Sequence, residues 1–282
     1  MAALEGRAVM LTGASGEIGA ATARRLGAAG ARLALSGRRL ERLEEIADEV
    51  ARAGGPRPVT LCADLGRRAE AAGLAARAVE QLGEIDVLVN NAGTSMQGLS
   101  WLAGDGDPGR EVFEANVWAP LALIAAVAPS MVARGAGTIV NVGSMARVSP
   151  FPHLGLYTAS RAALASVTEV LDMELGPRGV SVVEVALGPV DTPASRENRV
   201  LAGVDRWLEG RPGLGSADAA AAAIVRAVQD DARGVAFYPR MLRWPHRLPG
   251  LGRRYARRAA RHADLRDETV RFGGAVVTPE AS

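Results

Sequence analysis

Residues 7–20 read RAVMLTGASGEIGA. A short apolar run ends in threonine, and glycines follow at positions 13, 16 and 19 before an alanine-rich stretch begins. The run is too short for a helix and has the character of a buried strand. "GAATARRLGAAG" then reads as a helix closed by glycine. The same unit recurs along the chain. "ARLALSG" and "PVTLCAD" are strands, each followed by a helical pattern, the second at 69–82. "IDVLVNNAG" is a fourth strand, followed by a long apolar helix, 109–135, with a bend expected near Pro120 or Pro129. "GTIVNVGS", helix 157–175, "GVSVVEVALG", a helix opened by Ser216 and "GVAFYP" complete the series. Regular alternation of buried strands with helices means a parallel sheet covered on both faces. The fold class is therefore α/β, a doubly wound sheet of about seven strands in one domain over residues 1–239. Residues 194–215 form an excursion before the last helix, and 240–282 form a basic C-terminal extension.

The bulk composition narrows the function. Of 282 residues, 48% are hydrophobic, enough for a sizeable core. No apolar run reaches the ~18 residues of a membrane span. The first strand begins almost at once, so no leader is expected and a cytoplasmic protein is the default. Cys62 is the single cysteine and the three histidines, 153, 246 and 262, are scattered, so neither a disulfide nor a zinc site is expected. The formal charge of +2 hides an asymmetry: residues 240–282 hold ten arginines against four acids, a net of +6, and the remainder carries −4. All 33 basic residues are arginine; the chain has no lysine.

Glycines 13, 16 and 19 at a strand-to-helix junction suit a phosphate-bearing dinucleotide. Glycine lets the backbone approach a pyrophosphate, and the N-terminus of the helix attracts it. The second strand shows which dinucleotide fits. An acid at its end would hold the ribose hydroxyls of NAD, but Ser36 and Gly37 stand there, followed by Arg38 and Arg39. Guanidinium groups suit a 2′-phosphate, so NADP(H) is the expected cofactor.

With these pieces placed, residues 5 to about 239 resemble the short-chain dehydrogenase/reductase family. "TGASGEIG" resembles its cofactor loop, in which Gly13, Ser15, Gly16, Ile18 and Gly19 would contact the dinucleotide. "CADL" places Asp64 where the family binds adenine. "NNAG" supplies Asn91, Ala92 and Gly93. "EANVWAP" places Asn116 at the catalytic asparagine, and "NVGSMA" places Ser144 at the catalytic serine, thirteen residues before Tyr157. "GPVDTP" resembles the loop at the nicotinamide carboxamide, with Gly188, Val190 and Thr192. The resemblance implies a single-domain Rossmann fold and an oxidoreductase that assembles as a homodimer or homotetramer. Three departures stand out. Glu17 occupies a usual glycine position and is expected to face solvent. Leu187 replaces a proline. Arg161 replaces the lysine of the "YTASR" motif.

Carbonyl reduction needs a hydride on carbon and a proton on oxygen. A tyrosine hydroxyl, ordinarily a weak acid, becomes useful beside a cation, because the positive charge favours the phenolate. Ser144 can polarise the same oxygen, and in the family the asparagine holds a water for proton relay. Tyr157 and Arg161 are four residues apart on one helical face. Tyr157 and Arg161 are also expected to contact the cofactor, because arginine supplies the charge and can donate to the nicotinamide ribose, but it cannot give up a proton, and it is larger and planar. Three readings follow: a working reductase that uses arginine, a site retuned to isomerisation or elimination, and a non-catalytic cofactor-binding scaffold. The absence of lysine everywhere favours the first.

The expected pocket walls carry Met96, Leu99, Trp101, Met145, Phe151, Leu201, Val204, Trp207 and Leu208. This set suggests a bulky lipophilic ketone or alcohol. His153 reads as a surface loop residue in preference to a second acid. The tail reads as a solvated basic helix in preference to a peripheral membrane contact, and nucleic acid is not an expected partner. The end of the chain, VVTPEAS, reads as disordered.

Overall fold

Every residue of Ala8–Leu11 (β1) is buried, which a strand achieves only when both its faces are covered. Side chains alternate across it. Val9 and Leu11 join one apolar cluster, and Met10 joins the other. The computed structural model describes residues 4–103, 107–201, 214–272 and 275–277. In it β1 pairs in parallel with β2 (Arg32–Gly37) on one side and β4 (Val87–Asn90) on the other. The full sheet has seven parallel strands. Beyond β2 lies β3 (Val59–Cys62), and beyond β4 lie β6 (Gly137–Ser144), β7 (Val180–Leu187) and β8 (Gly234–Tyr238). The chain order reverses between β1 and β4. A parallel sheet opens its ligand crevice at such a switch, beyond the carboxyl ends of the strands.

One face of the sheet is covered by α1 (Glu17–Ala28), α2 (Leu40–Arg52) and α9 (Ala217–Gln229). The other is covered by α3 (Glu70–Leu82), α6 (Ala119–Arg134) and α7 (Gly155–Leu175). Ser216 caps α9 as expected, its Oγ accepting from Ala219 N–H at 3.1 Å. Inside the sheet a buried polar chain ties β4 to β6 and α7. Asn90 Nδ2 donates to Asn141 Oδ1 at 2.9 Å, and Asn141 Nδ2 donates to Thr168 Oγ1 at 2.9 Å. α7 carries the tyrosine motif, so this chain fixes it over the sheet.

α5 (Asp107–Phe113) runs into a π-helical turn, Glu114–Trp118, before α6 begins. Pro120 follows that turn directly, and Pro129 is accommodated inside α6. The irregularity in the long helix is thus a widened turn around Asn116, next to Pro120, and such turns gather at functional positions. The continuous helix 107–134 is apolar and long enough to cross a membrane by composition. More than half of that stretch is buried in the protein, as in a core helix.

The C-terminal extension is built into the domain. Beyond α10 (Arg243–Arg247) and α11 (Pro249–Ala259), β9 (Val270–Phe272) pairs antiparallel with β5 (Met96–Gln97) and with β10 (Ala275–Val277). Val270 packs with Met96 and Val112 in a separate small core. Two expectations are corrected here. The tail is more than a solvated helix, because its strand adds to β5. Val276 and Val277, read as disordered, lie in β10. Sequence periodicity misses such short strands, since each gains its partner only from distant chain.

Candidate active site

The loops after β1 and β4 meet at the switch point. Thr12 Oγ1 accepts from Asn91 N–H at 3.1 Å and Ala92 N–H at 3.0 Å. Asn91 Nδ2 donates back to Thr12 O at 3.0 Å and Gly13 O at 3.2 Å. Gly13 has φ +66°, and a Cβ there would lie 2.7 Å from Ala92 Cα, so only glycine fits. Gly16 precedes α1 in extended conformation with no side chain capping the helix. The amides of the first turn are thus left for an anion. Glu17 is exposed, as expected, and Ile18 packs on the core. Gly19 is buried, and a Cβ there would be 2.8 Å from Ala14 Cα.

At the end of β2, Ser36 is buried, while Arg38 and Arg39 are exposed. Arg39 Nη2 donates to Ser15 O at 2.6 Å, which fixes its guanidinium beside the glycine loop. Asp64 Oδ1 accepts from Gly66 N–H at 3.1 Å. Glu111 of α5 stands nearby. Burial, then the Asp64 charge, push its carboxyl above the ordinary range, while Arg38 and Arg67 oppose the rise. Positive and negative groups therefore converge where the adenosine end of a dinucleotide would lie. The glycine cradle, the uncapped helix and the paired arginines form a donor set that fits an anionic dinucleotide.

Arg161 is the centre of the second cluster. It is only 8% exposed. Its Nη1 donates to Val142 O on β6 at 3.1 Å, and its Cζ lies 5.4 Å from the centroid of the Tyr157 ring. A Cβ on Gly93 would overlap Nη2 and stand 3.0 Å from Asn116 Oδ1. Arg161 Nε is buried without a hydrogen-bond partner among the described residues. Asn116 is fully buried in the π turn. Its Nδ2 donates to Thr94 O and Ser160 Oγ, and its Oδ1 accepts from Thr94 N–H, all at 2.9 Å. Ser160 Oγ donates in turn to Tyr157 O at 2.8 Å. Ser144, at the end of β6, accepts from Ala146 N–H at 3.1 Å through Oγ. Thr94 was not singled out in the sequence, and Ser160 was read only as part of the tyrosine motif. Ser160 lies within the quoted tyrosine motif, and Thr94 follows Gly93 directly.

The loop after β7 completes the crevice. Gly188 N–H donates to Tyr238 O at 2.7 Å. Val190 is buried and bridges Gly215. Thr192 Oγ1 accepts from Ser195 N–H at 3.3 Å, at the start of α8 (Pro193–Leu201). That acceptor role leaves the hydroxyl proton to donate. Asp191 holds Arg196 through two bonds, at 2.9 and 3.1 Å, and Arg199 at 3.2 Å. Asn198 Nδ2 donates to Ser95 Oγ at 3.1 Å, so α8 is tied across the crevice.

The expected pocket walls divide. Phe151 and Leu154 pack with Tyr157. Met145 is buried beside Ser144, and Leu99 is half-buried. Met96 belongs to the small core under β9, and Trp101 is exposed. Leu201 ends α8, and Val204, Trp207 and Leu208 lie outside the described residues. His153 is corrected from a surface residue to a buried one, 1% exposed, with φ +62°. Its Nε2 donates to Asp264 O at 2.8 Å. The extension covers it, which no local pattern announces.

Sequence reasoning also missed a buried ion pair behind the site. Glu184 of β7 is 1% exposed, with Oε2 at 2.7 Å from Arg147 Nη2. Burial pushes its carboxyl up to about 7, an effect the Arg147 charge offsets only in part and Arg161 opposes more weakly. His246 of α10 accepts from Arg147 Nη2 at 3.3 Å and packs 5.0 Å from the Phe237 ring. Burial, then Arg147, lower its imidazole below the ordinary range. The available signal was the single acid in the apolar strand VSVVEVAL.

A family model described as short chain dehydrogenase matches residues 7–200. The chain belongs to the short-chain dehydrogenase/reductase family. Among curated proteins, an uncharacterized oxidoreductase of Staphylococcus saprophyticus is 34% identical over 195 residues, 69% of this chain and 83% of that one. The bovine dehydrogenase/reductase SDR family member 7B is 34% identical over 192 residues, 66% of this chain but only 59% of that protein. A fatty acyl-CoA reductase of Mycobacterium tuberculosis is 32% identical over 258 residues, 89% of this chain and 83% of that one. Among solved structures, a short-chain dehydrogenase from Sphingobium yanoikuyae in complex with NADPH is 30% identical with TM-score 0.74, covering 87% of this chain and 93% of that one. The seven-stranded parallel sheet is the architecture of these relatives. The chain is an oxidoreductase of a family that binds a nicotinamide dinucleotide.

Two predictions test this geometry. Gly93→Ala should displace the Arg161 guanidinium and lower cofactor-linked turnover by about tenfold or more, with thermal unfolding little changed. Initial rates set beside calorimetry check this; an unimpaired rate contradicts it. The second concerns pH. The Glu184 carboxyl ionises near 4.5 when unfolded and near 7 when folded, so the folded state holds the proton longer. Its contribution to stability is complete below that window and is lost as pH rises through it. Between pH 5 and 8, Tm should fall more steeply in the wild type than in Glu184→Gln. Equal slopes contradict the assignment.

Proposed function

We propose that this protein is an NADP(H)-dependent reductase that converts a carbonyl on a bulky, lipophilic substrate into an alcohol. The observation that carries the reading is the buried Arg161 guanidinium against the Tyr157 ring, with Asn116 and Ser160 holding the tyrosine backbone. Arg38 and Arg39, in place of an acid, support a cofactor bearing a 2′-phosphate. The NADPH complex of the Sphingobium relative and the NADP complex of a metagenomic short-chain oxidoreductase agree with that choice. Phe151, Leu154 and Met145 beside Tyr157 and Ser144 support an apolar substrate. The Mycobacterium relative, which matches past the region of the family model, is a fatty acyl-CoA reductase. Lipid-like carbonyl compounds are accordingly the first substrates to try.

When bound, the reduced nicotinamide supplies a hydride to the carbonyl carbon. The chain's own residues handle the proton. Ser144 Oγ accepts from Ala146 N–H, which orients its own O–H toward the carbonyl oxygen. Tyr157 O–H gives its proton to that oxygen as charge develops there. The hydride and this proton together make the alcohol, and the negative charge passes to the tyrosine oxygen. The fixed charge of Arg161 offsets the phenolate; as a guanidinium it keeps its own protons, and Tyr157 recovers its proton from solvent. The Asn116 amide is engaged with Thr94 and Ser160, so its contribution is to hold the tyrosine turn in place.

Tyr157→Phe should therefore lower NADPH oxidation with lipophilic aldehydes and ketones by about a hundredfold or more, while NADPH binding stays intact. The wild type should prefer NADPH to NADH by about tenfold or more in kcat/KM. Full activity in the phenylalanine variant removes Tyr157 as the acid, and a preference for NADH removes the cofactor assignment.

A further inference from the structure

We infer that the C-terminal extension positions the loop between Ser144 and Tyr157 and so selects the substrate. This deepens the reductase reading and rests on it for the substrate part alone. The extension also packs on Phe237 of β8 and Val112 of α5, but four of its contacts converge on that loop and on its neighbour β5. His246 meets Arg147 at 3.3 Å. Gly252 packs so closely that a Cβ there would lie 2.8 Å from Ser149 Oγ and 3.0 Å from Val148 O. Asp264 O accepts from His153 Nε2 at 2.8 Å. β9 then pairs with β5, and Gly98, just past β5, bridges Leu154 of the same loop. The loop is thus held at residues 147, 149 and 153 by the extension, and at 154 by the segment the extension also pairs.

His153 is the positioning residue in this arrangement. Its backbone is in the left-handed region, which is unfavourable for a residue with a Cβ. The buried bond to Asp264 O holds it there. Its neighbour Leu154, with Phe151, packs against Tyr157. Releasing His153 would therefore let the apolar wall beside the tyrosine ring shift. The family model stops at residue 200, before the extension begins.

Two single variants on opposite sides of the contact, His153→Ala and Gly252→Ala, test this in the full chain. Neither touches the glycine cradle, Ser144, Tyr157 or Arg161. Hydrogen exchange of residues 145–154 should rise by about tenfold in both, while the NADPH dissociation constant stays within about twofold. The kcat/KM ratio between dodecanal and butanal should fall by about fivefold, mainly through KM for dodecanal. His153→Asn, which tolerates the left-handed backbone, should keep part of the protection that His153→Ala loses. Unchanged exchange at 145–154 in both variants overturns the proposal. So does a loosened loop with an unchanged aldehyde ratio. If the wild type turns over neither aldehyde, the reductase reading is at fault, and the exchange data alone decide whether the extension holds the loop.

Discussion

A guanidinium held almost out of water, with a carbonyl on one side and a phenol ring on the other, constrains the whole candidate active site of this protein. Arg161 needs a partner for its charge, and it has the Val142 carbonyl and the face of Tyr157. It needs room, and Gly93 provides it by having no side chain. It needs its helix to stay in place, and the Asn90–Asn141–Thr168 chain anchors α7 to the sheet. The π turn supplies the remaining brace by aiming Asn116 at Thr94 and Ser160. A planar fork is harder to seat than a linear ammonium, and the site is shaped around that demand.

Charge is also concentrated behind the site. Arg147 and Glu184 lie one layer away, buried, with Glu184 sensing Arg161 as well as Arg147. Such a pair is costly to desolvate and is weak evidence for stability by itself. Here it joins the catalytic loop to β7, and His246 closes it from the C-terminal extension. The reacting groups, the buried pair and the extension are therefore mechanically continuous, which is the physical basis for assigning the extension a part in selectivity.

Much of this was legible in the chain itself. The seven strands of the main sheet could be read because each is a short apolar run bounded by glycine or polar residues, and βα alternation leaves few topologies. The cradle could be read because glycine at 13 and 19 has a steric reason and Gly16 stands, without a capping side chain, where α1 opens. What escaped the reading depends on distant chain. β5 and β9 are two and three residues long, and β5 gains its partner only from β9, which lies far along the chain. His153 looked like a loop residue because its cover lies 111 positions away. Glu184 looked like part of an ordinary strand until Arg147 arrived beside it. An irregularity near Pro120 could be read because proline interrupts the helical bonds, but its form, a π turn that carries Asn116, could not.

The central claim is that the positive charge of Arg161 serves the tyrosine chemistry. Single-turnover oxidation of enzyme-bound NADPH by a lipophilic aldehyde, measured for wild type, Arg161→Lys and Arg161→Met, tests it most directly. The account predicts that lysine keeps the rate within about tenfold, and that methionine, unbranched and neutral, lowers it by about a hundredfold or more. A methionine variant that turns over within about threefold of wild type would contradict the account, because the charge would then be idle.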